Sequence, residues 1–257
     1  MEITQLSTEL LSFLFVTAFV AGFLDTLAGG GGLISLPALI LSGIPPLSAL
    51  GTNKLQGSMG TATATYVMLS NKRVRWSEVK QLMLSAFVGS LLGTIAVQFM
   101  NPEILNFVVP TVLVVISIYF LLAPQPKIDG GRSRISSAVY QKTVVPLIGW
   151  YDGMFGPGTG SFFAFSGVSL RGQGLIEATA VAKTLNFSTN FASLAIFLIA
   201  GKVAWLAGMV MILGQFAGAW LGSHCLFKID HKILRLIVVA MCLLMLLRYT
   251  FSMGWLS

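Results

Sequence analysis

The sequence predicts an all-α polytopic membrane protein built from two inverted-topology repeats, each with a glycine-broken, re-entrant helical segment and three transmembrane helices. Three observations carry this prediction. Of the 257 residues, 55% are hydrophobic and only 10% are charged, whereas a soluble domain has about 25% charged residues. Many apolar segments are long enough to cross a bilayer, which takes about 20 residues. One pattern of charges and glycines also occurs twice along the chain.

The apolar segments follow the same order in both halves. In the first half they are residues 10–27, a short piece 33–41 after four glycines, then 47–70, 82–100 and 104–123. In the second half they are residues 143–155, a short piece 161–170 after the GPGTG break, then 175–200, 203–227 and 233–251. The short pieces are predicted to be half-helices or re-entrant arms. We divide the chain into a first membrane repeat (1–123), a cytoplasmic linker (124–142) and a second membrane repeat (143–257).

Matched residues support the repeat. Positions 127 apart (25 and 152, for example) match Asp25 with Asp152, Gly29 with Gly156 and Gly31 with Gly158. After a two-residue insertion, positions 129 apart match Lys54 with Lys183, Val74 with Val203, Trp76 with Trp205, Gly89 with Gly218 and Gly93 with Gly222. A single match would be chance, but Asp, Lys, Trp and spaced Gly together indicate duplication.

Basic residues predict how the halves are oriented. Loop 72–80 is basic, whereas the matching loop around Lys202 in the second half has one basic residue. Conversely, link 101–103 has no basic residue, whereas the matching segment 228–235 has three. Because basic loops stay in the cytoplasm, matching loops face opposite sides. This predicts a multi-pass membrane protein with both termini outside. Eight simple spans in parallel halves, the alternative, would put the cluster 228–235 outside. The net charge of +7 lies in these clusters, so no nucleic-acid partner is expected.

Four ionisable residues lie at membrane depth: Asp25, Lys54, Asp152 and Lys183. Each would cost about 3 kcal/mol at a helix centre, so partners or a wet cavity are expected. One interpretation is that Asp–Lys pairs only fasten the bundle. The other is that the lysines bind an anion. The two aspartates could hold a lysine, accept N–H groups at a helix end, or take up a proton, so proton coupling and a structural role stay open for them.

The glycine breaks predict an anion site. A helix that starts after a break leaves its first N–H groups unbonded and carries partial positive charge there. The alternative interpretation of these glycines is that they let helices cross closely. The alternative interpretation of the asparagines near the matched lysines is that they form hydrogen bonds between helices. The predicted substrate-binding residues are Gly30, Gly31, Gly32, Asn53, Lys54, Gly158, Thr159, Gly160, Ser161, Lys183 and Asn186.

These motifs resemble the sulfite exporter TauE/SafE family of bacterial membrane proteins. The resemblance covers nearly the whole chain and rests on G-x-x-D-x-x-x-G-G-G-G from Gly22, the P-A-L that follows, A-L-G-T-N-K-L-Q-G from Ala49, and the second-half repetition. It implies two related apolar halves that move sulfur-containing or organic anions such as sulfite and sulfonates. Where many members have G-x-G-G-G and G-T-S in both halves, the second half here has D-G-M-F-G-P-G-T-G and A-K-T-L-N-F-S-T-N.

The sequence therefore predicts a secondary transporter, an exporter of a small anion, that works by alternating access. An anion channel is the alternative, followed by a membrane enzyme or an assembly factor for one. The chain has no G-x-x-x-x-G-K-[ST] motif, so an ion gradient rather than ATP is the expected energy source. No enzyme activity, cofactor or metal is expected. The expected partners are the small anion and the lipid bilayer, and homo-oligomerisation is left open.

Overall fold

The computed structural model describes residues 7–122, 130–225 and 231–252, and within these ranges its regular elements are all helices. The first half contains α1 Thr8–Ala28, α2 Gly32–Leu41, α3 Pro46–Ser70, α4 Trp76–Gln98 and α5 Pro102–Leu122. The second contains α6 Ser137–Val139, a π-helical stretch Tyr140–Val144, α7 Val145–Met154, α8 Thr159–Arg171, α9 Leu175–Ile199, α10 Trp205–Cys225 and α11 His231–Ser252.

Four helices in the described ranges are long and apolar enough to cross a membrane. They cover Thr8–Leu27, Trp76–Gln98, Pro102–Leu122 and Trp205–His224. In contrast, α2 has 10 residues and α8 has 13, so at about 1.5 Å per residue neither crosses a core about 30 Å thick. The prediction of short helices beside both glycine breaks is confirmed.

Two further long helices, α3 and α9, have 25 residues each. Their length is enough to span, about 37 Å, but both contain many polar residues. Most of these polar side chains are buried within the protein. The two helices pack against each other, so polar groups gather in the interior while the apolar faces of α4, α5 and α10 remain exposed.

The helix starts follow local chemistry. Ser7 Oγ accepts the Leu10 N–H at 3.3 Å and caps α1. Pro46 opens α3, where its missing N–H has no cost. In the second half, Ser136 Oγ accepts the Val139 N–H at 3.3 Å and the chain is helical from Ser137, ahead of the apolar segment predicted from residue 143. Residues 137–142 thus lie in the helical run that leads into α7, and the division of the chain at residue 142 stays a prediction.

The linker is attached to the end of α8 where the structure describes it. Arg171 Nη1 donates to Ser133 Oγ at 3.0 Å and to the Ile135 carbonyl at 2.6 Å. The Arg134 N–H donates to the Leu170 carbonyl at 2.9 Å. Residues 124–129 of the linker and residues 228–230 of the basic cluster 228–235 lie outside the described residues.

Each half packs its first helix against a helix of the other half. Helix α1 lies along α10, and α7 lies along α4. A Cβ added at Gly22 of α1 would lie 2.5 Å from the Gln215 carbonyl oxygen, and one at Gly149 of α7 would lie 2.5 Å from that of Ala86. These four residues occupy matched positions, so one contact occurs twice with the halves exchanged. Small residues at such crossings let helix backbones touch.

Candidate functional site

The two glycine breaks lie against each other in the interior. Gly29 ends α1 in the left-handed region, at φ 78°, and Gly158 precedes α8 at φ 82°, a conformation that glycine adopts without strain. A Cβ added at Gly29 would lie 2.9 Å from the Ser161 nitrogen, and one at Gly32 would lie 3.2 Å from Pro157 Cα. The first turns of α2 and α8, one from each half, therefore meet.

Two buried ion pairs connect the halves close to this meeting point. Lys54 Nζ lies 2.8 Å from Asp152 Oδ2, and Lys183 Nζ lies 3.3 Å from Asp25 Oδ2. The Lys183 ammonium also donates to the backbone carbonyl of Asp25. Each lysine thus pairs with the aspartate of the other half. The expectation that these charges have partners is confirmed; whether a lysine also binds an anion stays a prediction.

A cavity of about 30 Å³ lies between the breaks. A cavity of this volume holds about two water molecules, because one needs about 10–15 Å³. Backbone, amide and hydroxyl groups dominate the lining, with one carboxylate among them. The lining residues are Asp25, Gly29, Gly31, Gly32, Asn53, Gln56, Gly57, Thr61, Gly156, Gly158, Thr159, Gly160, Asn186, Asn190 and Gln215.

The predicted site residues separate into a lining group and a group behind it. Those in the lining are Asp25, Gly31, Gly32, Asn53, Gly158, Thr159, Gly160 and Asn186. Those outside it are Gly30, Lys54, Asp152, Ser161 and Lys183. Gly30 faces another helix, since a Cβ there would lie 2.9 Å from Val238 Cγ1. Lys54 sits directly behind the lining, 3.1 Å from the Cβ position of Gly156.

Asn53 presents a donor to the start of α2. Its Oδ1 accepts from Ser35 Oγ at 2.6 Å and from Gln56 Nε2 at 2.8 Å. These bonds assign the other atom of the amide as Nδ2, which lies 3.6 Å from the Cβ position of Gly32. An N–H₂ group therefore stands beside the partly positive end of α2.

Asn186 presents an amide donor to the start of α8. Its Oδ1 accepts from Asn190 Nδ2 at 3.3 Å, and its Nδ2 lies 3.4 Å from the Cβ position of Gly160. Thr159 directs its hydroxyl to the Gly156 carbonyl at 2.7 Å and steadies the break. Both helix starts thus have an amide donor on the cavity side.

Neither Gln215 nor Asn190 is among the binding residues predicted from the sequence. Both line the cavity. Each of the two glutamines in the lining, Gln56 and Gln215, is only 2% exposed. The Oε1 atom of each is buried without a hydrogen-bond partner among the described residues. A buried unpaired amide costs about 1–3 kcal/mol, and such groups call for a water or a ligand. The sequence feature that could have indicated Gln215 is its position as a polar residue inside the apolar stretch 203–222.

The described residues contain no group of three His, Cys, Asp or Glu side chains that could hold a metal ion. The arrangement is instead suited to a small ligand held by dipoles, with charge supplied from behind the lining. Backbone N–H groups and amides that converge on a closed cavity are a recurrent way to bind an oxyanion.

The family model described as sulfite exporter TauE/SafE matches residues 14–249. The chain belongs to this family. The resemblance read from the motifs of the first half is thereby confirmed, and the chain is a multi-pass membrane protein of a transport family.

Curated relatives agree over most of the chain. It is 42% identical over 244 residues to a probable membrane transporter protein, ORF9, of Sinorhizobium sp, covering 95% of this chain and 94% of the relative. It is 38% identical to a probable membrane transporter protein of Haemophilus influenzae, covering 98% of each. It is 40% identical to the probable membrane transporter protein YfcA of Escherichia coli K12, covering 91% and 87%. These names indicate a transporter rather than an enzyme. No solved structure matches the chain.

Proposed function

We propose that the chain is a secondary transporter, an exporter from the bacterial cytoplasm, of a small anion of the sulfur-containing or organic class. The observation that carries this proposal is the meeting of two short-helix N-termini, one from each half, at a cavity lined by Asn53 and Asn186. An anion there would be bound by backbone N–H groups and amide donors, with the two lysines behind them.

The size of the cavity supports a carrier rather than an open pore. At about 30 Å³ it holds about two water molecules, so an oxyanion of four or more heavy atoms needs the halves to separate. Binding would therefore be linked to opening toward one side at a time. A channel would instead require a continuous water-filled path through the same place.

The contacts between the halves support inverted-topology repeats that move against each other. The α1–α10 and α7–α4 crossings use matched glycines, and the two ion pairs exchange partners between the halves. Two equivalent arrangements of one fold give two states of similar energy, one open to each side. In this proposal both termini face the outside of the inner membrane, and an ion gradient drives the cycle.

Tracer flux through the full-length protein in liposomes tests this function. Sulfite, thiosulfate, sulfate, methanesulfonate and acetate would each be offered as labelled anions. We expect saturable flux of at least one, lost in Asn186→Leu because the leucine removes the donor at the α8 end. Ser117→Ala, a buried change on α5 away from the lining, is the matched control and should transport normally.

The proposal fails if none of the five anions moves, or if Asn186→Leu transports as well as the unchanged protein. Flux that rises linearly with concentration and never saturates would instead identify an anion channel with the same lining.

A further inference from the structure

The two matched ion pairs lie in different surroundings. The Lys54 and Asp152 side chains are each 1% exposed, and neither lines the cavity. The Asp25 side chain is 13% exposed and does line it. Only the Asp25 carboxylate can therefore exchange a proton or a partner with the cavity, although Asp25 and Asp152 occupy matched positions in the sequence.

The Asp25 carboxylate occupies the place expected for a bound anion. Its Oδ1 accepts the Gly31 N–H at the start of α2 at 3.1 Å, and its Oδ2 faces the Lys183 ammonium at 3.3 Å. The protein thus supplies an anion of its own at the α2 end. At the α8 end no carboxylate does this, because Asp152 faces Lys54 instead.

Lys183 is the one charged group among the described side chains that faces Asp25. Helices α2, α3, α8, α10 and α11 pack against α1, and α2 has no charged residue. The Lys54 ammonium of α3 is engaged by Asp152, and Arg171 of α8 binds the linker. On α10, His224 is exposed and contacts the Trp220 carbonyl. On α11, Arg248 is exposed.

We propose that Asp25 carries the proton of the transport cycle, that Asp152 does not, and that the transported anion is monovalent. This inference rests on the proposed function. The anion replaces the Asp25 carboxylate at the Gly31 N–H and at Lys183, and Asp25 takes up one proton on a carboxyl oxygen as it leaves them. The Lys54–Asp152 pair stays ionised and holds the two halves together.

The charges balance for a monovalent anion. Before binding, the Asp25 carboxylate and the Lys183 ammonium sum to zero. After binding, Asp25 is neutral, and the anion and Lys183 again sum to zero. One proton and one monoanion occupy the site together, so the cycle moves no net charge, and the outward gradient of the anion itself drives export. A dianion would leave one negative charge uncompensated in the protein interior, which is strongly unfavourable.

Binding of methanesulfonate to the purified full-length protein at a series of pH values tests the coupling. This probe keeps one negative charge throughout the range. Where Asp25 is ionised, uptake of one proton per anion makes Kd rise about tenfold per pH unit. We expect no such slope in Asp25→Asn, the same slope in Asp152→Asn, and a restored slope in Asp25→Glu. Sulfate should compete poorly.

A slope that persists in Asp25→Asn, or one that is lost in Asp152→Asn, would overturn the assignment. A slope that is absent from the unchanged protein would do the same. Equal competition by sulfate would overturn the monovalent class.

Infrared titration without any anion separates this inference from the proposed function. The chain has nine Asp and Glu residues, so the carboxylic acid signal that grows as the pH falls is compared between variants. Asp25→Asn should lose the signal of one carboxyl group relative to the unchanged protein, and Asp152→Asn should lose none. If methanesulfonate fails to bind at any pH, the transport of sulfonates is contradicted, while the infrared result still decides which aspartate exchanges its proton. A signal in Asp25→Asn equal to that of the unchanged protein refutes the proton assignment by itself.

Discussion

Removal of the Lys54 ammonium tests whether the sealed ion pair stabilises the contact between the halves. In Lys54→Met the Asp152 carboxylate keeps its buried position, 1% exposed, and loses its one charged partner. No other hydrogen bond reaches this carboxylate in the described part of the chain. The methionine is similar in length to the lysine stem, so packing changes little and the effect reports the charge.

The structure sets the expected magnitude. Breaking a buried pair by removing one partner costs about 3–5 kcal/mol. Lys183→Met should cost less, about 1–3 kcal/mol, because Asp25 keeps the Gly31 N–H and borders the cavity, where water or a proton can reach it. The double variant Lys54→Met/Asp152→Leu removes both charges and should recover most of the loss.

Equilibrium unfolding in mixed micelles, with increasing denaturing detergent, measures these differences in the free energy of unfolding. The expected order of loss is Lys54→Met first, then Lys183→Met, with the double variant close to the unchanged protein. The reasoning is refuted if Lys54→Met loses no more than Lys183→Met, or if the double variant is no more stable than Lys54→Met alone.

Three further predictions concern packing, the linker and topology. Gly218→Ala should lower the free energy of unfolding by about 1–3 kcal/mol, because the added Cβ would overlap the Phe19 carbonyl oxygen. Gly131→Ala, the control, places its Cβ in open space and should leave the free energy of unfolding unchanged. Equal stabilities of the two variants would contradict the close helix crossing. Arg171→Gln should make trypsin cleavage at Arg134 several times faster, and an unchanged rate would show that the linker does not depend on this side chain. A tag after the last residue should react with an impermeant reagent from outside the cell, and reaction from the cytoplasm alone would discard the inverted arrangement.

Much of the fold follows from local signals that the sequence carries twice. Trp76 and Trp205, matched by the repeat, begin α4 and α10, and both glycine breaks end a helix and start a short one. The start at Ser137 was missed because the polar and basic residues before position 143 resemble a loop. A serine cap and attachment to α8 override that composition.

The candidate site could be predicted only in part. The breaks, the aspartates and the lysines could be selected because the two halves of the sequence carry them at matched positions. The pairing of each lysine with the aspartate of the other half depends on how the halves cross, which no local pattern encodes. Gln215 lines the cavity, but the matched position in the first half is Ala86, so comparison of the two halves could not predict it. Asp25 lines the cavity and Asp152 does not, a difference that their matched positions do not predict.

Substrate protection of a cavity residue tests the central claim most directly. Thr61 lines the cavity, so Thr61→Cys, in a chain without its native cysteines, should react with a water-soluble thiol reagent as the halves open. The account predicts that methanesulfonate slows this reaction, and that it leaves Ser117→Cys, away from the lining, unaffected. Equal labelling of Thr61→Cys with and without a concentration of methanesulfonate that saturates flux would contradict an anion site between the two glycine breaks.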